Sequence, residues 1–183
     1  MLNWPVLELM KYKDTPLHFN ETLDLKKDLM TRDPEIMDVT PIKVDGYIAY
    51  DKGDFVVSAT LNGSMIVPST RSLTPVTLPT NLSFSEIYLG DPAHADQYED
   101  GELLIELEGD RLDLVPAIED HILLSIPMQI LTPEEAQTGT MPAGEDWNVI
   151  SEDEYAQTHD EADERPNAEF EKLKDLFKDD DTE

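Results

Sequence analysis

The chain of 183 residues carries 41 acidic against 13 basic side chains, a formal net charge of −28, with 39% apolar residues and no cysteine. That length and apolar content suit one ordinary domain whose core occupies part of the chain, and the charge repels phosphate backbones and favours basic partners. The missing cysteines exclude disulfides, thiolate zinc sites and thiol redox chemistry, and the opening MLNWPVLELMKYK has no basic region ahead of an apolar run, so a cytoplasmic protein with no membrane partner is expected.

Trp4 to Met10 reads as a short amphipathic helix with Pro5 at its first position and Val6, Leu9 and Met10 turned inward. Leu17, Phe19 and Thr22 mark a short strand, and Asp24 is placed to cap a helix LKKDLM that stops before the Asp33-Pro34 turn. From Pro41 the period changes to two. Ile42, Val44, Tyr47, Ile48 and Tyr50 form one strand, Asp51 to Asp54 with Gly53 a turn, and FVVSATL its hairpin partner. Gly63 then separates SMIVP, the polar STRSL connects, and VTLPTNLSFSEIYL is long enough to bend or break at Pro79. After the polar DPAHADQYEDGE, a last strand ELLIELEG leads through Gly109-Asp110 into a helix.

That helix lies in the densest apolar run of the chain, Leu112 to Leu131. Asp113 serves as its N-cap, Pro116 falls in the first turn, and Pro127 forces Ile126 out of helical geometry, giving a helix over 113–126. Leu114, Ile118 and Ile122 repeat on one face with Val115 and Ile126 beside them, while Glu119, Asp120 and Ser125 lie elsewhere. Strands followed by a helix imply an α+β class: a curved antiparallel meander or partly closed barrel packed with the 113–126 helix and short N-terminal helices.

Composition shifts beyond residue 133. Residues 134–183 hold 18 acidic and 4 basic side chains, a net −14. So little apolar surface cannot offset ordering entropy, so disorder is expected from Thr132 to Asn167. The division is therefore a 1–133 domain and a 134–183 acidic tail. Two islands interrupt the tail: WNVIS from Trp147, and a helix over 168–178 with Phe170, Leu173 and Phe177 on one face.

No constellation carries chemistry. Carboxylates abound, but nothing in the pattern sets two of them apart in pKa. His121, beside Glu119 and Asp120, has neighbours that point away from it on a helix and reads as structural. There is no Walker loop, dinucleotide fingerprint or nucleophile elbow, so no enzyme and no cofactor is expected; the alternative of another class is a cytoplasmic enzyme with no recognisable motif, its cleft assembled from distant residues.

Several stretches carry a family resemblance: LNWPVLELMKY, ETLDL, GSMIVPSTRSLTPVTLP, DLVPAIEDHILLSIPMQIL, DWNVISEDE and FEKLKDLF. In this order they resemble the DUF177 (YceD-like) family nearly end to end, most specifically in the loop holding Ser69 and Arg71 and in the apolar helix ending in ILLSIPM. Many relatives carry cysteines where this chain has Ser69 and Thr132, so no metal or redox role carries over. Relatives often read Asp-Pro-Arg where this chain has Asn167-Ala168-Glu169. The resemblance implies a non-enzymatic role in large-subunit biogenesis through accumulation of 23S ribosomal RNA. Two modes follow: binding a basic large-subunit ribosomal protein or pre-ribosomal particle, or direct contact with precursor 23S RNA, and DNA is not a partner. Ser69, Arg71, Asp113 and Pro127 are the candidate binding or structural residues, with Arg71 read as a structural ion pair in preference to a recognition contact.

Overall fold

Alternation of apolar and polar side chains dominates the middle of the sequence, and a sheet accordingly dominates the fold. The computed structural model describes residues 2–13, 15–99, 101–107, 109–138, 143–150, 152 and 155. In chain order the elements are β1 (Asn3–Pro5), α1 (Val6–Leu9), β2 (Leu17–Leu23), α2 (Lys26–Arg32), β3 (Asp38–Val39), β4 (Ile42–Asp51), β5 (Asp54–Pro68) and β6 (Pro75–Leu89). A 3-10 turn at Pro92–Gln97, β7 (Leu104–Glu106), β8 (Arg111–Asp113), α3 (Val115–Leu124) and α4 (Pro133–Thr138) follow. Two units are distinguished, Met1–Ala136 and Gln137–Glu183. In the second, Ala143 bridges to Asn148, and Gly144 N donates to the Trp147 carbonyl at 2.8 Å. The expected helix over 168–178 and most of the expected tail lie outside the described residues.

The main sheet runs β2-β4-β5-β6-β7, with β3 also on β5. The β4–β5 hairpin turns on Lys52 and Gly53, whose φ values of 50° and 106° suit a two-residue turn matched to strand twist. β5 continues unbroken through Gly63, against the expectation of a separate SMIVP strand. A Cβ at Gly63 would meet the far end of the Ile42 side chain, which would have to shift to admit it. Thr40 carries the ladder across the gap at Pro41: its N–H donates to Ser64 O and its Oγ1 accepts from Ser64 N, both at 2.9 Å. β6 likewise passes Pro79 without a break, because β7 covers only Ile87–Leu89 and leaves β6 an edge strand at Pro79, where no ladder donor is required.

The expected meander or partly closed barrel is corrected in two respects. β7 pairs parallel to β6, and β2 and β7 remain separate edges, so the described strands form an open mixed sheet. A small ribbon, β1 with β8, lies apart from it. Trp4 therefore sits in a strand opposite Leu112, and only Val6–Leu9 is helical. Leu114 N donates to Leu2 O at 2.9 Å, which stitches the N-terminus to the start of α3.

α3 is shorter than the expected 113–126. Val115 N donates to Asp113 Oδ1 at 3.0 Å, so Asp113 satisfies the first helical amide from a strand position one residue ahead of the cap. At the other end the helix runs to Leu124 with Ser125 as its C-cap, Ser125 Oγ donating to Ile122 O at 2.7 Å, and Ile126 lies outside the helix ahead of Pro127. Leu114, Ile118 and Ile122 are fully buried and join the core of Val44, Ile48, Phe55, Val57 and Leu61 from the sheet. Burial of each such side chain contributes about 1.5–3 kcal/mol before entropy is counted.

Candidate functional site

The β5–β6 connection, Ser69 to Thr74, is a closed loop. Ser69 N donates to Thr74 O at 2.8 Å and Leu73 N donates to Ser69 O at 3.0 Å. Ser69 is fully buried, and its hydroxyl accepts from Arg71 N at 3.1 Å and Ser72 N at 3.3 Å. One short polar side chain thus organises the loop from inside. The tight closure drives Leu73 to φ 61°, left-handed backbone that costs a non-glycine residue roughly 1 kcal/mol.

Two later segments brace this loop. Thr70 N and Oγ1 both donate to Ile130 O, at 2.8 and 3.0 Å. Glu135 Oε2 accepts from Ser69 Oγ at 2.6 Å and from Thr132 N at 2.8 Å, while Glu135 N donates to Thr132 Oγ1 at 3.1 Å. Hydrogen bonds from Ser69, then from Ser72 and Thr132, hold the Glu135 carboxyl down to about 2. Thr132 and Glu135 form a capping box that starts α4 inside the stretch expected to be disordered. The signal was present in Thr132-Pro133-Glu134-Glu135, with proline at the first helical position, but the acidic bias of the tail masked it.

The sequence-chosen residues separate in space. Ser69 and Arg71 share the loop, and Arg71 Nη1 donates to Glu135 O at 3.3 Å. Asp113 lies in the β1–β8 ribbon, where its Oδ2 accepts from Asn3 Nδ2 at 2.8 Å. Pro127 is exposed, in the segment between α3 and Ile130.

Other polar groups emerge only in three dimensions. Glu86, on the core face of β6, is buried; its Oε2 accepts from Tyr88 Oη at 2.7 Å, and its Oε1 lies 2.8 Å from His121 Nε2. The His121 ring stacks on Phe84 at 4.2 Å between centroids. Glu86 and Tyr88 border a cavity of about 350 Å³ with Leu107, Asp113, Pro116 and Asp120. At the hairpin end, buried Asp54 accepts from Gly90 N (2.8 Å) and Tyr98 Oη (2.8 Å) and lies 2.9 Å from His94 Nδ1. Burial works against the charged form of Asp54, but the bonds from His94, Gly90 and Tyr98 outweigh it and hold the carboxyl below its usual range. Glu119, expected away from the core, is buried, because the Arg32 guanidinium reaches across from α2 to bridge Glu119, at 3.1 Å, and Asp120.

The solvent face of the sheet differs from the rest of the acidic surface. Register places Lys43, Asn62 and Asn81 in one row, Asp45, Thr60 and Ser83 in the next, and Tyr47, Ser58 and Ser85 in a third. Asp45 supplies the one carboxylate in these rows, and Asn20 and His18 engage it. Tyr47 is half exposed, with the His18 ring 4.7 Å away.

The family described as large ribosomal RNA subunit accumulation protein YceD matches residues 57–177. A Bacillus subtilis (strain 168) protein described as "Uncharacterized protein YlbN" is 31% identical over 154 residues, covering 84% of this chain and 87% of that protein. No solved structure matches.

Proposed function

The chain belongs to the YceD family, and from that membership we propose that it is a non-enzymatic, cytoplasmic factor in large ribosomal subunit biogenesis that sustains accumulation of the large-subunit RNA. The family's description carries this reading, and the charge supports the mode. At −28 the surface field repels RNA and attracts the basic proteins that assemble on it, so the proposed partner is a basic large-subunit ribosomal protein or a particle displaying one. Among the described residues no helix is long and apolar enough to cross a membrane.

Within this reading Ser69, Arg71 and Glu135 form a brace that sets the shape of the 69–74 loop. Depleting the protein is expected to lower large-subunit RNA relative to small-subunit RNA. The tagged full chain is expected to retain a basic large-subunit protein after nuclease treatment and to release it as salt rises and screens the charges. Loss of all association on nuclease treatment would transfer the role to RNA. A second reading, direct contact with precursor 23S RNA, draws on the sheet face of Lys43, Tyr47 and His18, where carboxylates are scarce and an aromatic ring is open to stacking. Tyr47→Ala would then abolish RNA retention while leaving the fold intact.

A further inference from the structure

Leu73 costs the fold twice and repays it with little. Its backbone is left-handed, where glycine or asparagine is cheaper, and its large aliphatic side chain is 71% exposed. With it, Val67, Pro68, Ile126 and Ile130 line a groove of about 420 Å³ on the apolar side, and Asp33, Glu35, Ser69 and Thr70 line it on the polar side. Met128, between Ile126 and Ile130 in the chain, is 99% exposed. Val67 and Ile130 are core residues, but the protruding Leu73 and Met128 beside carboxylates extend the apolar surface beyond what the core uses, which describes a surface kept for a partner.

We propose that this groove seats a segment of a basic large-subunit ribosomal protein that presents an aliphatic side chain flanked by lysine or arginine. The inference rests on the reading of the function given above and adds the place of contact. The aliphatic residue enters between Leu73 and the Ile126–Ile130 segment, and the flanking cations meet Asp33 and Glu35. RNA fits this groove poorly: the lining residues include no aromatic ring for a base to stack on, and the two carboxylates oppose phosphate. The brace at Ser69 and Glu135 holds the loop in its strained form before binding, so the loop itself adds no ordering cost on association.

The test uses the full chain labelled with nitrogen-15, titrated separately with individual purified, nuclease-treated large-subunit ribosomal proteins and with large-subunit RNA fragments. At least one protein is expected to bind and to shift amides at Val67–Thr74 and Ile126–Ile130. Leu73→Asn is expected to weaken that binding at least about tenfold, from the loss of one buried leucine contact, while the thermal midpoint stays level or rises as backbone strain is relieved. Glu35→Lys should weaken it too and flatten its salt dependence. Protein binding that Leu73→Asn leaves unchanged, with shifts elsewhere, overturns the groove and spares the basic-partner reading. Binding of none of the proteins overturns that reading and the groove with it. Groove shifts produced by RNA alone overturn the class of partner. A melting transition lost in both Leu73→Asn and Leu73→Gly would make Leu73 a folding residue and also refute the proposal.

Discussion

Replacing Tyr88 by phenylalanine removes one oxygen from the interior and almost no volume, so the response isolates the bond to Glu86. That bond is 2.7 Å long, from a phenol that burial, and then the adjacent carboxylate, push well above its ordinary pKa, so it stays protonated and donating. A hydrogen bond to a carboxylate contributes about 1.5–3 kcal/mol net. The ~350 Å³ cavity bordered by both side chains gives water a route to the vacated acceptor and offsets part of the loss, leaving about 1–2 kcal/mol. For a unit of this size 1 kcal/mol corresponds to roughly 3–4 °C, so the thermal midpoint should fall by about 3–8 °C. Urea unfolding with an unchanged m-value measures the free energy, and a double-mutant cycle with Glu86→Gln should return a coupling near 1 kcal/mol or more. A loss below about 0.5 kcal/mol, together with a coupling near zero, would refute the claim that this contact stabilises the core.

The Asp54–His94 contact predicts a stability plateau in pH. Asp54 titrates below its ordinary 3.8, so its contribution is present above that value and is lost as pH falls through the depressed one; His94 titrates above its ordinary 6.5, mainly through its bond to Asp54, so its contribution is complete below 6.5 and is lost as pH rises through the elevated value. Thermal midpoints measured from pH 3 to 9 should keep the alkaline limb in the native chain and lose it in His94→Gln. Glu135, held at about 2 against an ordinary 4.5, contributes stability above 4.5 that is lost as pH falls towards 2. Glu135→Ala should therefore flatten that acid limb and open the 69–74 loop to limited proteolysis, and an unchanged digestion rate would count against the brace. Removing residues 139–183 should preserve a single cooperative unfolding transition, whereas a cut at 134, which deletes Glu135, should lower its midpoint. Equal midpoints would show that α4 adds nothing.

Local pattern in the sequence determined the parts of this protein whose cause is local. The period-two alternation from Ile42 to Leu61, with Gly53 at the turn, specifies the hairpin, because side-chain direction and turn geometry both act within a few residues. The i, i+4, i+8 spacing of Leu114, Ile118 and Ile122 specifies which face of α3 is buried, for the same reason. The order of motifs specified the family. What only tertiary structure decided involves partners far apart in the chain. β8 exists because residues 3–5 arrive beside residues 111–113, and no three-residue strand announces a partner more than a hundred positions away. Glu119 is buried because Arg32 crosses from another helix, and Glu86 because Tyr88 and His121 converge on it; each carboxylate looked like one of many until its donors were placed. The candidate site has the same origin. Ser69 and Leu73 were visible as a polar loop, but its bracing by Glu135 and its place beside Ile126 and Ile130 arise only when the chain after α3 returns to the end of β5 and closes hydrogen bonds there.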